Sequence, residues 1–249
     1  MSRIPIIIGN WKMYKTQKEA QDFVKALAPL VSTSDKRILL AVPFTALAHT
    51  SEAAESTRIS IGAQNMHDHV EGAFTGEISA RMLKDAGATF VLLGHSERRH
   101  LFGETSAFIN RKLCRALAEE ILPILCIGET LEEKRGGHTE RVLSKQLEEG
   151  LKGLSAAHVG QTLIAYEPVW AIGTGETLDP KGAQVIHHAL RTFLKNRYDA
   201  KTAEKVSLLY GGSVKPDSAA LLMQQEDVDG LLVGGASLDP ETFMKIINC

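Results

Sequence analysis

The sequence predicts a single α/β domain built as a (β/α)8 barrel, in which eight parallel strands alternate with outer helices. Eight short apolar or β-branched runs recur along the 249 residues. Most of these runs are continuous rather than alternating, which is typical of parallel strands buried on both faces. Segments with helical periodicity lie between them. This count matches a barrel of about 250 residues, and an open doubly wound sheet is the main alternative.

Each apolar run predicts one strand, and the spacing of apolar residues predicts the helices between them. The predicted strands cover residues 4–8, 37–42, 59–63, 89–93, 121–127, 162–166, 206–210 and 228–233. Asp179-Pro180 and Asp239-Pro240 each combine an N-cap residue with proline at the first helical position, so a helix is expected to begin at each. The two clearest helical stripes are Val185, Ile186, Ala189, Leu190, Phe193 and Leu194, and Ile109, Leu113, Ala116 and Leu117.

The composition indicates a folded domain that acts on a small molecule. Apolar residues make up 44% and charged residues 23% of the chain, which excludes a disordered or low-complexity protein. The 28 Lys and Arg against 30 Asp and Glu leave a net charge of −2 without long runs of one sign, so no surface for nucleic acid or an anionic membrane is predicted. No linker divides the chain, and residues 1–249 are expected to form one domain. A split into two smaller domains near residues 150–160 is the alternative.

The cysteines and the apolar runs favour a cytoplasmic protein. Cys114, Cys126 and Cys249 form an odd set without CxxC spacing, so we expect three free thiols. Cys126 lies in an apolar run and is expected to be a core residue rather than a nucleophile. No apolar stretch approaches the roughly 20 residues that a membrane-spanning helix needs. The first apolar run is also too short for a signal peptide.

Polar residues follow six of the eight predicted strands, and the carboxyl ends of barrel strands meet at one mouth. Glu167, His95 and Lys12 would supply a base, an electrophile and a cation around one cavity, a set that suits proton abstraction beside a carbonyl. Each residue alone is more often structural, so the inference depends on their combination. The segments at the strand ends are Asn10-Trp11-Lys12, Gln64-Asn65, Gly94-His95-Ser96-Glu97, Glu167-Pro168, Gly211-Gly212-Ser213 and Gly234-Gly235.

The glycine pairs after the last two strands favour a phosphate site. Loops after strands seven and eight of such barrels often bind phosphate through backbone N–H groups. Gly173-Thr174-Gly175 lacks the third glycine of a dinucleotide motif, and no nucleotide site is predicted. The apolar segment 168–175 directly follows Glu167, and a mobile lid over the site would explain why Val, Trp and Ile stand there together.

Six segments together resemble the triosephosphate isomerase family nearly from end to end. They are Gly9-Asn10-Trp11-Lys12-Met13, Gly72-Ala73-Phe74-Thr75-Gly76-Glu77, Gly94-His95-Ser96-Glu97-Arg98-Arg99, Leu125-Cys126-Ile127-Gly128-Glu129, the run 165–175, and Tyr210-Gly211-Gly212-Ser213-Val214. The resemblance implies interconversion of dihydroxyacetone phosphate and glyceraldehyde 3-phosphate in glycolysis and gluconeogenesis, without a cofactor or metal. A barrel that only binds a phosphorylated metabolite is the alternative function. An aldolase is a weaker rival because no predicted inner strand holds a Schiff-base lysine.

The resemblance also implies a role for each matched residue. Glu167 would move the carbon-bound proton, and His95 would polarise the carbonyl. A helix beginning at Ser96 would direct its N–H groups at His95 and favour the neutral ring. Glu97 would join the charge network of Lys12 and His95, or act only as an acidic residue in the first turn of that helix. The substrate-binding set implied by the resemblance is Asn10, Trp11, Lys12, Gly173, Ser213, Gly234 and Gly235, and Asn10 and Lys12 are also implied to be catalytic.

The segment 64–77 is long for a connection in a compact domain and is expected to meet a partner. The resemblance implies a homodimer in which this loop, through Phe74 and Thr75, docks on the second subunit beside its catalytic lysine. Ala46 departs from the aromatic residue that many relatives carry there, which puts the packing of that interface in doubt. His67-Asp68-His69 in the same loop lacks an evident third ligand, and no metal site is expected.

Overall fold

The computed structural model describes residues 3–172 and 178–249 and contains a closed barrel of eight parallel strands. Each strand pairs with the next along the chain, and β1 pairs with β8 to close the sheet. The strands are β1 (Ile6–Asn10), β2 (Arg37–Val42), β3 (Ile59–Ala63), β4 (Phe90–Leu93), β5 (Leu122–Ile127), β6 (Leu163–Tyr166), β7 (Leu208–Tyr210) and β8 (Gly230–Val233). The predicted fold class is confirmed, and the open doubly wound sheet is excluded.

Helices surround the barrel and connect its strands. They are α1 (Gln17–Leu30), α2 (Phe44–Ala54), α3 (Ala80–Asp85), α4 (Ser96–His100), α5 (Ser106–Ala118), α6 (Leu131–Arg135), α7 (Thr139–Gly150), α8 (Ala156–Val159), α9 (Pro180–Arg197), α10 (Ala200–Lys205), α11 (Pro216–Met223) and α12 (Pro240–Ile247). Asp179 and Asp239 cap α9 and α12, whose first residues are the two prolines, as predicted. No helix within the described residues is both long and apolar enough to cross a membrane.

Two layers of apolar side chains hold the barrel together. Alternate strand residues such as Ile6 and Ile8 fill the barrel interior, whereas Ile7 packs outward against the helices. Both faces of the strands are therefore buried, which explains the continuous apolar runs. Each fully buried residue of this kind contributes about 1.5–3 kcal/mol. Cys126 belongs to the inner layer with 0% exposure, so its predicted place in the core is confirmed.

The first strand lies two residues further along the chain than predicted. The apolar run begins at Ile4, but β1 begins at Ile6 and includes Gly9 and Asn10, which pair with Leu40 and Ala41. Residues 9 and 10 lack the apolar side chains from which the strand was predicted, yet their backbone continues the ladder. β5 pairs with β6, so the sheet runs on across residues 150–160, where a split into two domains was the alternative. The loop 64–77 contains no helix or strand, as predicted.

His187 of α9 is a buried imidazole between the helix layer and the barrel. Its side chain has 0% exposure and lies near the rings of Tyr166 and Tyr210. Nδ1 is 3.2 Å from the carbonyl oxygen of Asp227 and donates a hydrogen bond to it when the ring is neutral. Nε2 has no hydrogen-bond partner among the described residues. Burial lowers the pKa of His187 to about 4, since a charged ring here would lose its hydration.

We expect His187 to make the fold acid-sensitive. The unfolded chain binds a proton at this residue below about pH 6.5, while the folded chain resists it, so stability is lost as the pH falls. The loss attributable to His187 should reach about 3 kcal/mol between pH 7 and pH 4. Denaturant unfolding of wild type and His187→Gln across this range measures it. His187→Gln should show a shallower pH dependence, and the same change at the neighbouring exposed His188 is the control. Equal slopes for wild type and His187→Gln would contradict the assignment.

Candidate active site

Four of the five residues predicted to be catalytic surround one cavity at the carboxyl ends of the strands, and the fifth, Glu97, lines an adjoining crevice. The cavity has a volume of about 460 Å³ and is open to solvent. Because the strands are parallel, the residues after β1, β4, β6, β7 and β8 reach the same rim. The sequence-predicted residues that line it are Asn10, Lys12, His95, Glu167, Ser213, Gly234 and Gly235.

Lys12 is held in an unusual backbone conformation directly after β1. Its φ angle is 51°, in the left-handed region that non-glycine residues rarely adopt. The N–H group of Lys12 donates to Oδ1 of Asn10 at 3.0 Å, and Nε2 of Gln64 donates to the Lys12 carbonyl oxygen at 2.8 Å. These bonds fix the strained residue, as is common at functional sites. They also occupy the amide oxygen of Asn10 and leave its N–H groups available as donors.

His95 is the N-cap residue of α4 and contacts Glu167 across the cavity. The backbone N–H of Glu97 donates to Nδ1 of His95 at 3.2 Å, so the predicted start of the helix at Ser96 is confirmed. Nδ1 can accept this bond only while it carries no proton, and the proton of a neutral ring is therefore on Nε2. Nε2 lies 3.1 Å from Oε1 of Glu167. The donor atom of the imidazole thus faces the carboxylate.

Two opposed influences act on the charge of His95. Burial lowers the pKa of the ring, whereas the Glu167 carboxylate, through its charge and its hydrogen bond to Nε2, and the charge of Glu97 raise it. The net pKa lies above the ordinary value. The N-terminus of α4 was expected to favour the neutral ring, and its bond to Nδ1 does so. The sequence predicts only the influence of the helix, and the structure adds the Glu167 carboxylate, which raises the pKa of the ring.

Glu167 follows β6 directly, and Gly128 and Gly211 pack against it so closely that a side chain at either position would clash with it. Its N–H donates to the carbonyl oxygen of Ile127 at 2.7 Å, and the N–H of Ser96 donates to Oε2 at 3.3 Å. The side chain is only 3% exposed. A Cβ atom on Gly128 would lie 1.8 Å from the Glu167 carbonyl oxygen, and one on Gly211 would lie 2.7 Å from Cγ of Glu167. These glycines therefore determine where the carboxylate stands.

Glu97 lies in the first turn of α4 and also forms an ion pair with Lys12. Oε1 is 2.6 Å from Nζ of Lys12, and Oε2 is 3.5 Å from Nδ1 of His95. The structure thus places Glu97 both in the helix turn and in the charge cluster, the two positions that the sequence left open. Its side chain is 39% exposed, whereas that of Lys12 is 25% exposed.

Ser213, Gly234 and Gly235 form one wall of the cavity. A single 3₁₀ turn, Gly235–Ser237, begins directly after Gly234. The first N–H groups of such a turn have no acceptor within it, so they are available to an anion. A Cβ atom on Gly235 would meet nothing within 4 Å, which leaves room for a ligand to approach the backbone. Gly173, the fourth residue predicted for this wall, lies outside the described residues.

Trp11 does not line the cavity. Its side chain is fully buried, its ring meets that of Phe23 edge to face at 4.9 Å, and its indole N–H donates to the carbonyl oxygen of Ser237 at 3.2 Å. Trp11 therefore connects the loop after β1 to the turn that carries Gly235.

The first part of the predicted lid packs on Glu129. Nε1 of Trp170 donates to Oε1 of Glu129 at 2.9 Å, and the hydroxyl of Tyr166 donates to the same oxygen at 3.1 Å. Nζ of Lys134 lies 3.1 Å from the centroid of the Trp170 ring. Burial raises the pKa of Glu129 in spite of these donors. The rest of the predicted lid, residues 173–175, lies outside the described residues.

A second crevice of about 200 Å³ adjoins the cavity on the side of Lys12 and Glu97. It is bordered by Met13, Phe44 and Phe102, which are 93%, 41% and 67% exposed. Phe74 is 39% exposed, and neither Phe74 nor Thr75 lines this crevice or the main cavity. Within the described residues, no group of three His, Cys, Asp or Glu side chains could hold a metal ion.

Sequence reasoning missed several residues of the site. Ser96 contributes a backbone donor to Glu167, and Tyr14 and Lys215 line the cavity without having been selected. Gly211 and Gly212 also line the cavity, although the sequence predicts a binding role only for Ser213 in that segment. Glu129 stood in a matched motif without a role. A polar residue shortly after a strand was the available signal for Lys215, whereas nothing local pointed to Glu129.

Comparisons with known proteins point to one family. The family model described as Triosephosphate isomerase matches residues 5–249. A protein named triosephosphate isomerase from Protochlamydia amoebophila is 52% identical over 248 residues, which cover 99% of this chain and 94% of that protein. Proteins of the same name from Moorella thermoacetica and Symbiobacterium thermophilum are 50% and 49% identical, and the matches cover 99% and 98% of this chain and 98% and 96% of those proteins.

We expect Gly128→Ala to reduce turnover by about tenfold to a hundredfold, because the added methyl must displace the backbone of Glu167 and a shift of about 1 Å misaligns a catalytic group. Steady-state kinetics on the purified variant measure this effect. Gly160→Ala is the control, since its Cβ would lie 3.4 Å from its nearest neighbours, an ordinary contact. Turnover of Gly128→Ala equal to that of Gly160→Ala would show that the close approach does not position Glu167.

Proposed function

The chain belongs to the triosephosphate isomerase family, and on that premise we propose which of its residues perform each step of the reaction. The enzyme interconverts dihydroxyacetone phosphate and glyceraldehyde 3-phosphate in glycolysis. The same reaction in reverse would serve gluconeogenesis. One observation carries the assignment of residues: Nε2 of His95 lies 3.1 Å from Oε1 of Glu167, in the cavity that Lys12 also lines.

Glu167 is the base that moves the proton between carbons. Its carboxylate takes a proton from the carbon beside the substrate carbonyl, and the electron pair of the broken C–H bond forms the enediol(ate) double bond. The protonated Glu167 then returns the proton to the neighbouring carbon. This assignment is supported by the low exposure of the side chain, because a weakly acidic C–H bond requires a base that is aligned and shielded from water.

His95 is the electrophile. Its Nε2–H group donates to the carbonyl oxygen and then transfers protons between the two oxygens of the enediol(ate). A substrate bound between His95 and Glu167 would break their direct contact and remove the strongest influence that raises the pKa of the ring. The bond from the Glu97 backbone to Nδ1 would remain and favour the neutral donor.

Lys12 offsets the negative charge of the phosphate and of the intermediate. Asn10 donates from its free amide N–H groups to the reacting end of the substrate. Glu97 positions the Lys12 ammonium, as their 2.6 Å contact supports. The steps above use only proton transfers and charge stabilisation, so we propose no cofactor and no metal.

The phosphate rests on backbone N–H groups at Ser213, Gly234 and Gly235, with Gly173 completing the set. The open space beside Gly235 supports this position. For Trp11 we propose a supporting role in substrate binding, since its side chain is buried behind the cavity. The segment that begins at Pro168 serves as a lid that closes over the bound substrate and protects the intermediate from water.

The functional unit is a homodimer. The exposed apolar residues around the crevice beside Lys12 and Glu97 support docking of a second copy, whose Phe74 and Thr75 would enter that crevice. We further propose that residues 1–249 form one domain and that the enzyme works in the cytoplasm.

Activity of Glu167→Gln tests the mechanism against the alternative of a barrel that only binds a phosphorylated metabolite. A coupled assay with either triose phosphate should show turnover by the wild type and a loss of about 10²- to 10⁴-fold in the variant, which has no base. The variant should still bind a phosphocarboxylate that resembles the enediolate, as measured by calorimetry. Binding without turnover by the wild type would favour the silent barrel, and unchanged activity of the variant would remove Glu167 from the mechanism.

Phe74→Asp tests the homodimer. A carboxylate in place of the ring should weaken self-association by about a hundredfold or more, because its burial in the interface would cost several kcal/mol. On dilution of the variant, the dimer fraction measured by sedimentation and the activity per subunit should fall together. Leu221→Asp, which places the same charge at an apolar residue of α11 that is 52% exposed, is the control. Full turnover by an isolated monomer of wild type would contradict the proposal.

A further inference from the structure

Side chains of α5 donate hydrogen bonds to two residues of the loop 64–77, Asp68 and Asn65. Nε of Arg111 donates to Oδ2 of Asp68 at 2.6 Å, and Nε of Arg115 donates to the Asp68 carbonyl oxygen at 3.1 Å. Nζ of Lys112 donates to Oδ1 of Asn65 at 2.8 Å. Residues 111, 112 and 115 lie on neighbouring positions of the helix surface, so three cations act on one short stretch of loop.

Asp68 is the centre of this contact. Its side chain is only 7% exposed, although it stands in a long connecting loop. The carboxylate lies 3.3 Å from Nδ1 of His67 and 3.9 Å from Nε2 of His69, in addition to Arg111. Burial raises the pKa of Asp68, whereas the hydrogen bond and charge of Arg111, together with the charges of His67 and His69, lower it, and the net pKa lies below the ordinary value. The carboxylate is thus stable in its charged form at a nearly buried position.

Phe74 rests on the two imidazoles that flank Asp68. Its ring centroid lies 4.4 Å from that of His67 and 4.4 Å from that of His69. The two imidazoles lie 5.3 Å apart. The tip of the loop is therefore folded back onto the residues that Asp68 fixes against α5, and its shape exists within one copy of the chain.

We propose that Asp68, anchored by Arg111, is a positioning residue that presets the loop 64–77 for docking on a second copy of this chain. The proposal rests on the homodimer proposed above. A loop that is ordered before association loses less conformational entropy on binding, so the anchor strengthens the dimer without touching the substrate. Through the dimer it also supports turnover, because the loop of one copy would complete the crevice beside Lys12 of the other.

The test compares Asp68→Asn, Arg111→Gln and the double variant by sedimentation over a dilution series. A hydrogen bond between two charged groups, one of them nearly buried, predicts that each single change weakens the dimer by about ten- to a hundredfold. The dimer of the double variant should be no weaker than the weaker of the two single-variant dimers, since both changes remove the same interaction. Arg111 is 59% exposed, so its variant should fold even if Asp68→Asn does not.

Two controls separate anchoring from a general loss of structure or of charge. Glu71→Gln removes one negative charge from the same loop. Glu71 is 79% exposed and lies 3.4 Å from the exposed Arg81. The dimer of this variant should therefore weaken by less than about twofold. At concentrations that saturate the dimer, kcat of Asp68→Asn should equal that of wild type. At protein concentrations below the dissociation constant of the dimer, the activity per subunit of Asp68→Asn should fall with the dimer fraction.

Four other results would contradict the role of Asp68 or the homodimer. A dimeric wild type with an equally tight Asp68→Asn or Arg111→Gln dimer would overturn the anchor alone. If Glu71→Gln weakened the dimer equally, the effect would be due to the charge of the loop, and this would also overturn the anchoring role of Asp68. A kcat that stays low at saturating concentration would show that Asp68 acts on the fold and not on docking. A wild type that is monomeric and fully active would overturn both the anchor and the homodimer.

Discussion

Closure of the parallel barrel is the constraint on which the site depends. The pairing of β1 with β8 completes a sheet without edges, and all eight strands then end at the same rim. Lys12, His95 and Glu167 are far apart in the chain, but each follows a strand and is carried to that rim. The closure is tight: a Cβ atom on Gly230 of β8 would lie 2.0 Å from the carbonyl oxygen of Ile6. The pairing of β1 with β8 thus depends on a close backbone contact that only glycine allows.

Electrostatics at the rim depend on charged and titratable groups that the barrel brings into direct contact. The carboxylate of Glu167 and the ring of His95 are both buried, so the carboxylate strongly affects the charge of the ring. The N-terminus of α4 acts on the opposite nitrogen of the same ring. In the mechanism that we propose, a substrate that separates the ring from the carboxylate changes the balance between these two influences on the ring.

The active site and the loop 64–77 share one anchoring point. Gln64, the first residue of the loop, donates hydrogen bonds to the carbonyl oxygens of both Lys12 and Ala41. The next residue, Asn65, is bound by Lys112 of α5. The loop that we propose to meet a second copy therefore begins where the strained Lys12 is held. In the homodimer that we propose, hydrogen bonds at this point would connect association with catalysis.

The sequence by itself determined the strand–helix order, the helix starts at Asp179-Pro180 and Asp239-Pro240, and the polar residues at the strand ends. These features follow from interactions between residues close in the chain, such as apolar periodicity and capping, and are therefore visible in the residue pattern. The extension of β1 to Asn10, the contact between His95 and Glu167, and the burial of Glu129 under Trp170 were decided by the tertiary structure. Backbone pairing, distance and desolvation between distant segments have no counterpart in the local pattern, because they exist only after the barrel closes.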